Sequence, residues 1–212
     1  MYAVNTYEQI ERQERELNEN HIIILLFVRP TSVGAQEIIN EFSYLHHDSR
    51  EYCSIYAVGY TDGPNEFGYS RKVEGVDGVA WYYSDKEFID FKEKLGKRIK
   101  WRYSGENELI VLQSNIDGKN ILNFQNYVAI NISEGLRQEY ICSYQNFMES
   151  LIESSKSEVE ASTAINRATR LSIKKVAIES LRSIKRIPAP IEKVIENKIC
   201  LLYTSPSPRD RG

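Results

Sequence analysis

The chain has 212 residues, 42% of them hydrophobic and 27% charged, with a formal net charge of −3. This composition excludes a disordered chain, and the length suits one ordinary domain with an extension. The longest apolar run, Ile22–Val28, is far short of the roughly 20 residues that span a bilayer, and the polar, acidic start lacks a secretory pattern, so a cytoplasmic protein without a membrane span is expected.

Thr6 and Gln9 have the spacing of a capping box that opens a short helix, with Tyr7, Ile10, Glu14 and Leu17 on one face. Its other positions are mostly charged, so residues 1–20 are expected to form a loosely attached N-terminal helix. "HIIILLFV" reads as a central strand buried on both faces. After the turn Arg29-Pro30-Thr31-Ser32, the positions Ala35, Ile38, Ile39, Phe42 and Leu45 share one helical face, and "YCSIYAV" is a second strand. Strand, helix, strand with short links predicts a parallel pair with a right-handed crossover. Residues 61–80 contain Gly63, Gly68, Gly75 and Gly78 and are expected to be a loop. Ser84, with Glu87 three residues on, starts a helix toward Ile99. "ELIVLQ" and "ILNFQNYVAI" are strands joined around Asp117-Gly118, a hairpin signal. Ser133 is expected to cap one long helix toward Ser155. A basic helix, Ala161–Ile187, follows until Pro188 and Pro190 break it.

Charge is unevenly placed. Residues 161–198 carry a net of +6 and residues 1–160 a net of −10. Such an asymmetry predicts either docking of the two parts or an acidic partner for the basic one. Only Cys53 and Cys142 precede residue 200, and they lie in different expected elements. That usage suits free thiols rather than a disulfide scaffold or a metal site.

The element order from Ile22 to Ser155, β-α-β-α-β-β-α, resembles the thioredoxin-like fold, a three-layer α/β architecture. The resemblance is one of topology. It implies a domain over residues 21–156, followed by a basic helical extension over 157–199. It also implies where redox cysteines would stand, between the first strand and the first helix. Here that turn reads "RPTSVGA", without cysteine, and no proline occurs between Pro64 and Pro188 to supply the family's cis-proline. The resemblance therefore implies a fold without thiol chemistry. A second resemblance concerns "CLLYTSPSPRD", Cys200–Asp210. Read back into codons, it is similar to a sequencing-library adapter in frame, its first base completing the Ile199 codon. This implies that residues 200–212 are a non-native tail, that the natural chain continues beyond Ile199, and that the source is microbial and metagenomic.

"YLHHDSREY" holds the most reactive side chains. His46, His47 and Asp48 could supply a base or metal ligand and its orienting carboxylate, although adjacent helical residues diverge by about 100°. Glu106 and Glu108 are two acids at a strand start, expected to be exposed. Trp81, Tyr82, Tyr83, Trp101 and Tyr103 lie near Lys97, Arg98, Lys100 and Arg102, a mixture able to stack single-stranded nucleic acid. The glycines around "EGVDGVAW" do not match a phosphate loop, and no serine-hydrolase, zincin or dinucleotide motif occurs. No cofactor or metal is expected. The leading functional expectation is a non-catalytic interaction or sensing module, facing a protein partner or its own continuing chain. The alternatives are a hydrolase or nuclease, centred on His46, His47 and Asp48 or completed downstream, and nucleic-acid binding through Lys174, Lys175, Lys185 and Arg186.

Overall fold

The computed structural model describes residues 1–49, 52–63, 71–116, 118, 120–139, 141 and 143–156. The expected basic extension, with Lys174, Lys175, Lys185 and Arg186, and the expected tail lie outside them. The chain opens on a strand its sequence does not announce, β1 (Tyr2–Val4), and α1 (Tyr7–Leu17) follows. The capping box is as expected: the Thr6 side chain accepts from Gln9 N, and the Gln9 side chain accepts from Thr6 N. The expected loose attachment is corrected. Tyr7, Ile10 and Glu14 are buried, and β1 belongs to the main sheet.

β2 (Ile22–Phe27) is buried at every position, as a continuous apolar run requires of a central strand. The single expected helix beyond it is two. α2 (Ala35–Asn40) gives way at Glu41 to α3 (Phe42–Ser49), and this break lets both Ile38–Ile39 and Phe42–Leu45 reach the core. β3 (Cys53–Val58) pairs in parallel with both β1 and β2.

The expected glycine-rich loop contains a small sheet. β4 (Tyr60–Thr61), β5 (Arg71–Glu74) and β6 (Ala80–Tyr83) form antiparallel pairs in the order β4-β6-β5, with a 3-10 turn at Val76–Gly78. Alternation explains β6: Trp81 and Tyr83 point inward and are buried, while Ala80 and Tyr82 are half-buried. Gly59 joins the two sheets. It lies at φ +84°, accepts from Ser84 N and donates to Val4 O, and a Cβ there would stand 2.7 Å from Phe88 Cβ.

Ser84 caps α4 (Asp85–Arg98) as expected. β7 (Glu108–Ser114) and β8 (Leu122–Asn131) form the antiparallel hairpin, and β7 also pairs antiparallel with β2. The main sheet is therefore mixed, in the order β1-β3-β2-β7-β8. The single long helix expected after Ser133 is also corrected. Asn131 caps α5 (Ile132–Arg137), Ser143 caps α6 (Tyr144–Ser155), and Glu139 at φ 59° takes part in the turn between them. Both carboxamide and hydroxyl caps satisfy an otherwise unpaired helical N–H.

α1 and α4 cover one face of the sheet, where the Tyr7 and Phe91 rings lie 4.3 Å apart. α3 and α6 are linked on the other by Tyr44 Oη donating to Glu149 at 2.9 Å. Beneath α1 sits a buried polar network. Glu14, fully buried, accepts from Tyr56 Oη at 2.5 Å. His21 Nε2 lies 3.0 Å from the other carboxylate oxygen and 2.9 Å from Ser54 Oγ, and Nδ1 lies 2.9 Å from Glu19 O. Among the described residues, no helix is long and apolar enough to cross a membrane.

Candidate functional site

In open α/β sheets, ligand crevices form outside the carboxyl ends of the strands, where the chain must leave the sheet. Here β2 ends at Phe27, and the turn Arg29–Gly34 folds back on itself through Ser32 N to Arg29 O at 2.8 Å and Ala35 N to Ser32 O at 3.1 Å. Arg29 is held at the side by Asp85, with Nη2 donating at 2.6 Å. Val33 stands at the rim, 95% exposed.

Asn107 joins this turn to the rest of the sheet. Its Nδ2 donates to Val33 O at 2.8 Å, its backbone N donates to Ser133 Oγ at 3.2 Å, and its carbonyl accepts from Ile132 N at 2.9 Å. The three contacts draw the turn, the start of β7 and the start of α5 around one cleft of about 570 Å³. Ile38, Leu136 and Tyr144 supply apolar lining. Asn107 is 2% exposed, yet its Oδ1 has no hydrogen-bond partner, and neither has the buried hydroxyl of Tyr144. Burial pushes the Tyr144 hydroxyl well above its ordinary range, so it remains a donor. Buried polar groups in native folds are almost always paired, and two residues lining this one cleft each carry an unpaired one.

Of the charged residues at the rim, Arg29, Glu106 and Arg137 are already engaged. Glu106 accepts from Arg137 Nη1 at 2.8 Å and from Asn131 Nδ2 at 3.0 Å, and Arg137 also pairs with Glu134. The expectation of an exposed Glu108 is corrected. Glu108 is buried, accepting from Trp101 Nε1 at 2.8 Å and Ser104 N at 2.9 Å, so it anchors the loop before β7. Aromatic residues able to stack nucleic acid form part of the core instead. Trp81, Tyr83 and Trp101 are buried, and Phe27 packs 4.8 Å from Trp101.

No family model, curated protein or solved structure is similar to this chain at a significant level.

The histidine cluster lies elsewhere, in the last turn of α3. His46 and His47 diverge, with rings 5.4 Å apart at 76°. His46 Nδ1 lies 2.9 Å from the Met1 amino group, while His47 Nε2 lies 2.6 Å from Asp77 Oδ1. The structure thus brings His47 to Asp77 rather than to its neighbour Asp48, and the His47–Asp77 pair is about half exposed, at 55% and 48%. Among the described residues, no group of three or more histidines, cysteines or acids is placed to hold a metal ion. Cys53 is buried in β3, and burial pushes its thiol up to about 12. Sequence reasoning passed over Val33, Asn107, Ser133 and Tyr144. Their only advance signal is position, just beyond the ends of the strands or at the start of the helix that follows.

Proposed function

We propose that this is a thioredoxin-like domain without thiol chemistry that works as a non-catalytic interaction module, receiving an extended segment of a protein partner in the cleft beyond β2. The strand order β1-β3-β2-β7-β8, parallel across the first three strands and antiparallel across the last two, supports the fold assignment. The observation that carries the function is the pair of unpaired buried groups, Asn107 Oδ1 and Tyr144 Oη, in a largely apolar cleft. One acceptor and one donor on residues of the same cleft suit the N–H and C=O of a peptide backbone, and the apolar lining suits one of its side chains.

The test uses peptides selected from a random library on the full chain. Val33→Lys leaves the core untouched, because Val33 is almost wholly exposed, and puts a charge at the rim. Binding of the selected peptides should fall at least about tenfold, roughly 1.4 kcal/mol, with an unchanged unfolding midpoint. Unaltered binding by Val33→Lys, or thiol–disulfide turnover by the wild-type chain, would overturn the proposal.

A further inference from the structure

The opposite end of the main sheet carries a second hollow, of about 670 Å³, between the end of α4 and the start of β8. Its origin is an irregularity in the hairpin. Pairing jumps from Leu112↔Tyr127 to Gln113↔Asn123, so residues 124–126 have no partner on β7. Extra residues of this kind bend a strand and re-aim its side chains. Phe124 is thereby turned toward α1, edge to face with Tyr7 at 6.2 Å. Arg98, the last residue of α4, lies over both rings, its guanidinium carbon 5.1 Å from the Tyr7 ring centre and 5.3 Å from that of Phe124.

Arg98 differs from Arg29 and Arg137. Each of those is bonded to a carboxylate, whereas Arg98 makes no direct ion pair among the described residues, although the Glu8 carboxylate feels its charge from a greater distance. Two aromatic rings flank its guanidinium, and the N–H edges of a guanidinium recognise a carboxylate or phosphate through two parallel hydrogen bonds. The rest of the described lining is built mainly of carboxamides, from Asn115, Asn120, Asn123 and Gln125, with no acid among them. Asn123 Oδ1 accepts from Gln125 N, which leaves its amide as a donor. Carboxamides offer donors and acceptors together, as vicinal hydroxyls require. Phe124 is already engaged by Arg98 and Tyr7, and the stacking platform that nucleobase binding relies on is therefore occupied.

We infer that this hollow binds a small anionic sugar, its charge on Arg98 and its hydroxyls on the surrounding carboxamides. The shared chemistry is a polyol carrying one carboxylate or phosphate. Calorimetric titration of the full chain with glucuronate, glucose 6-phosphate, glucose and inorganic phosphate separates the sources. One of the two anionic sugars should bind, with glucose and inorganic phosphate at least about tenfold weaker. Arg98→Lys keeps the charge and removes the planar fork, and Gln125→Ala removes one carboxamide from an exposed position. Each should weaken binding about tenfold while circular dichroism and the unfolding midpoint stay near wild type. The inference fails if neither anionic sugar binds at millimolar concentration, if inorganic phosphate binds as tightly as the sugars, or if both variants bind as wild type does. None of these outcomes depends on the peptide cleft.

Discussion

Tyr56→Phe isolates one hydrogen bond in the core while keeping the ring that packs there. The lost bond runs at 2.5 Å from Tyr56 Oη to the carboxylate of Glu14, which is wholly removed from solvent. A hydrogen bond to a charged group contributes about 1.5–3 kcal/mol, and stranding a buried acceptor adds its own desolvation penalty. The other Glu14 oxygen has no aligned hydrogen bond, only the nearby charge of His21 when that ring is protonated, so it offers little compensation. The expected loss is roughly 3 kcal/mol, or about 6–12 °C in melting temperature for a domain of this size. Urea denaturation at neutral pH measures it. The decisive comparison is the same substitution in a Glu14→Leu background. With the carboxylate gone, Tyr56→Phe should cost close to nothing, because replacing both partners by apolar groups removes the penalty. Equal losses in the two backgrounds would refute the reasoning, since the cost would then belong to ring packing rather than to the Glu14–Tyr56 bond.

The same network sets a pH dependence. Burial pushes His21 down, but the hydrogen bond and charge of Glu14 more than offset it, so the folded pKa lies above the ordinary 6.5. A histidine raised on folding stabilises fully below its unfolded pKa, and that contribution is lost as pH rises through the folded pKa. The melting temperature of the wild type should therefore drop relative to Glu14→Leu as pH increases from about 6; a constant difference between the two would contradict the His21–Glu14 coupling. Gly59→Ala should cost roughly 2–4 kcal/mol in urea denaturation, combining the φ of +84° with the contact at Phe88, and a loss under about 1 kcal/mol would mean that the joint between the sheets is not tight. Cys53, with its thiol near 12, should resist iodoacetamide at pH 8 in the native chain and react in urea, as peptide mapping would read; equal labelling in both states would contradict its burial.

The elements legible in the sequence are those whose physics is local. The capping box at Thr6, the cap at Ser84 and the unbroken apolar run of β2 need only neighbouring residues. What escaped the sequence depends on partners far along the chain. β1 is three residues long and becomes a strand only through its pairing with β3. The small sheet hides among glycines because its longest strands are four residues, too short for alternation to register. The helix breaks at Glu41 and after Arg137 serve the core rather than any local breaker, since no proline or glycine stands at Glu41. Glu108 looks like a surface acid until Trp101 and Ser104 are seen closing over it. The candidate site was the least legible part of all. It draws on the turn 29–34, on residues 105–107, and on Ser133, Leu136, Arg137 and Tyr144, and only the sheet topology puts these at one end of the molecule.

The central claim, that the cleft beyond β2 is where a partner's chain lies, is tested most directly by a backbone amide chemical-shift map of the full chain titrated with a library-selected peptide. Saturating shifts should centre on Val33, Asn107 and Ser133, with the side-chain amide of Asn107 among the largest. Shifts centred instead on His47 and Asp77, or spread without focus over the surface, would contradict it.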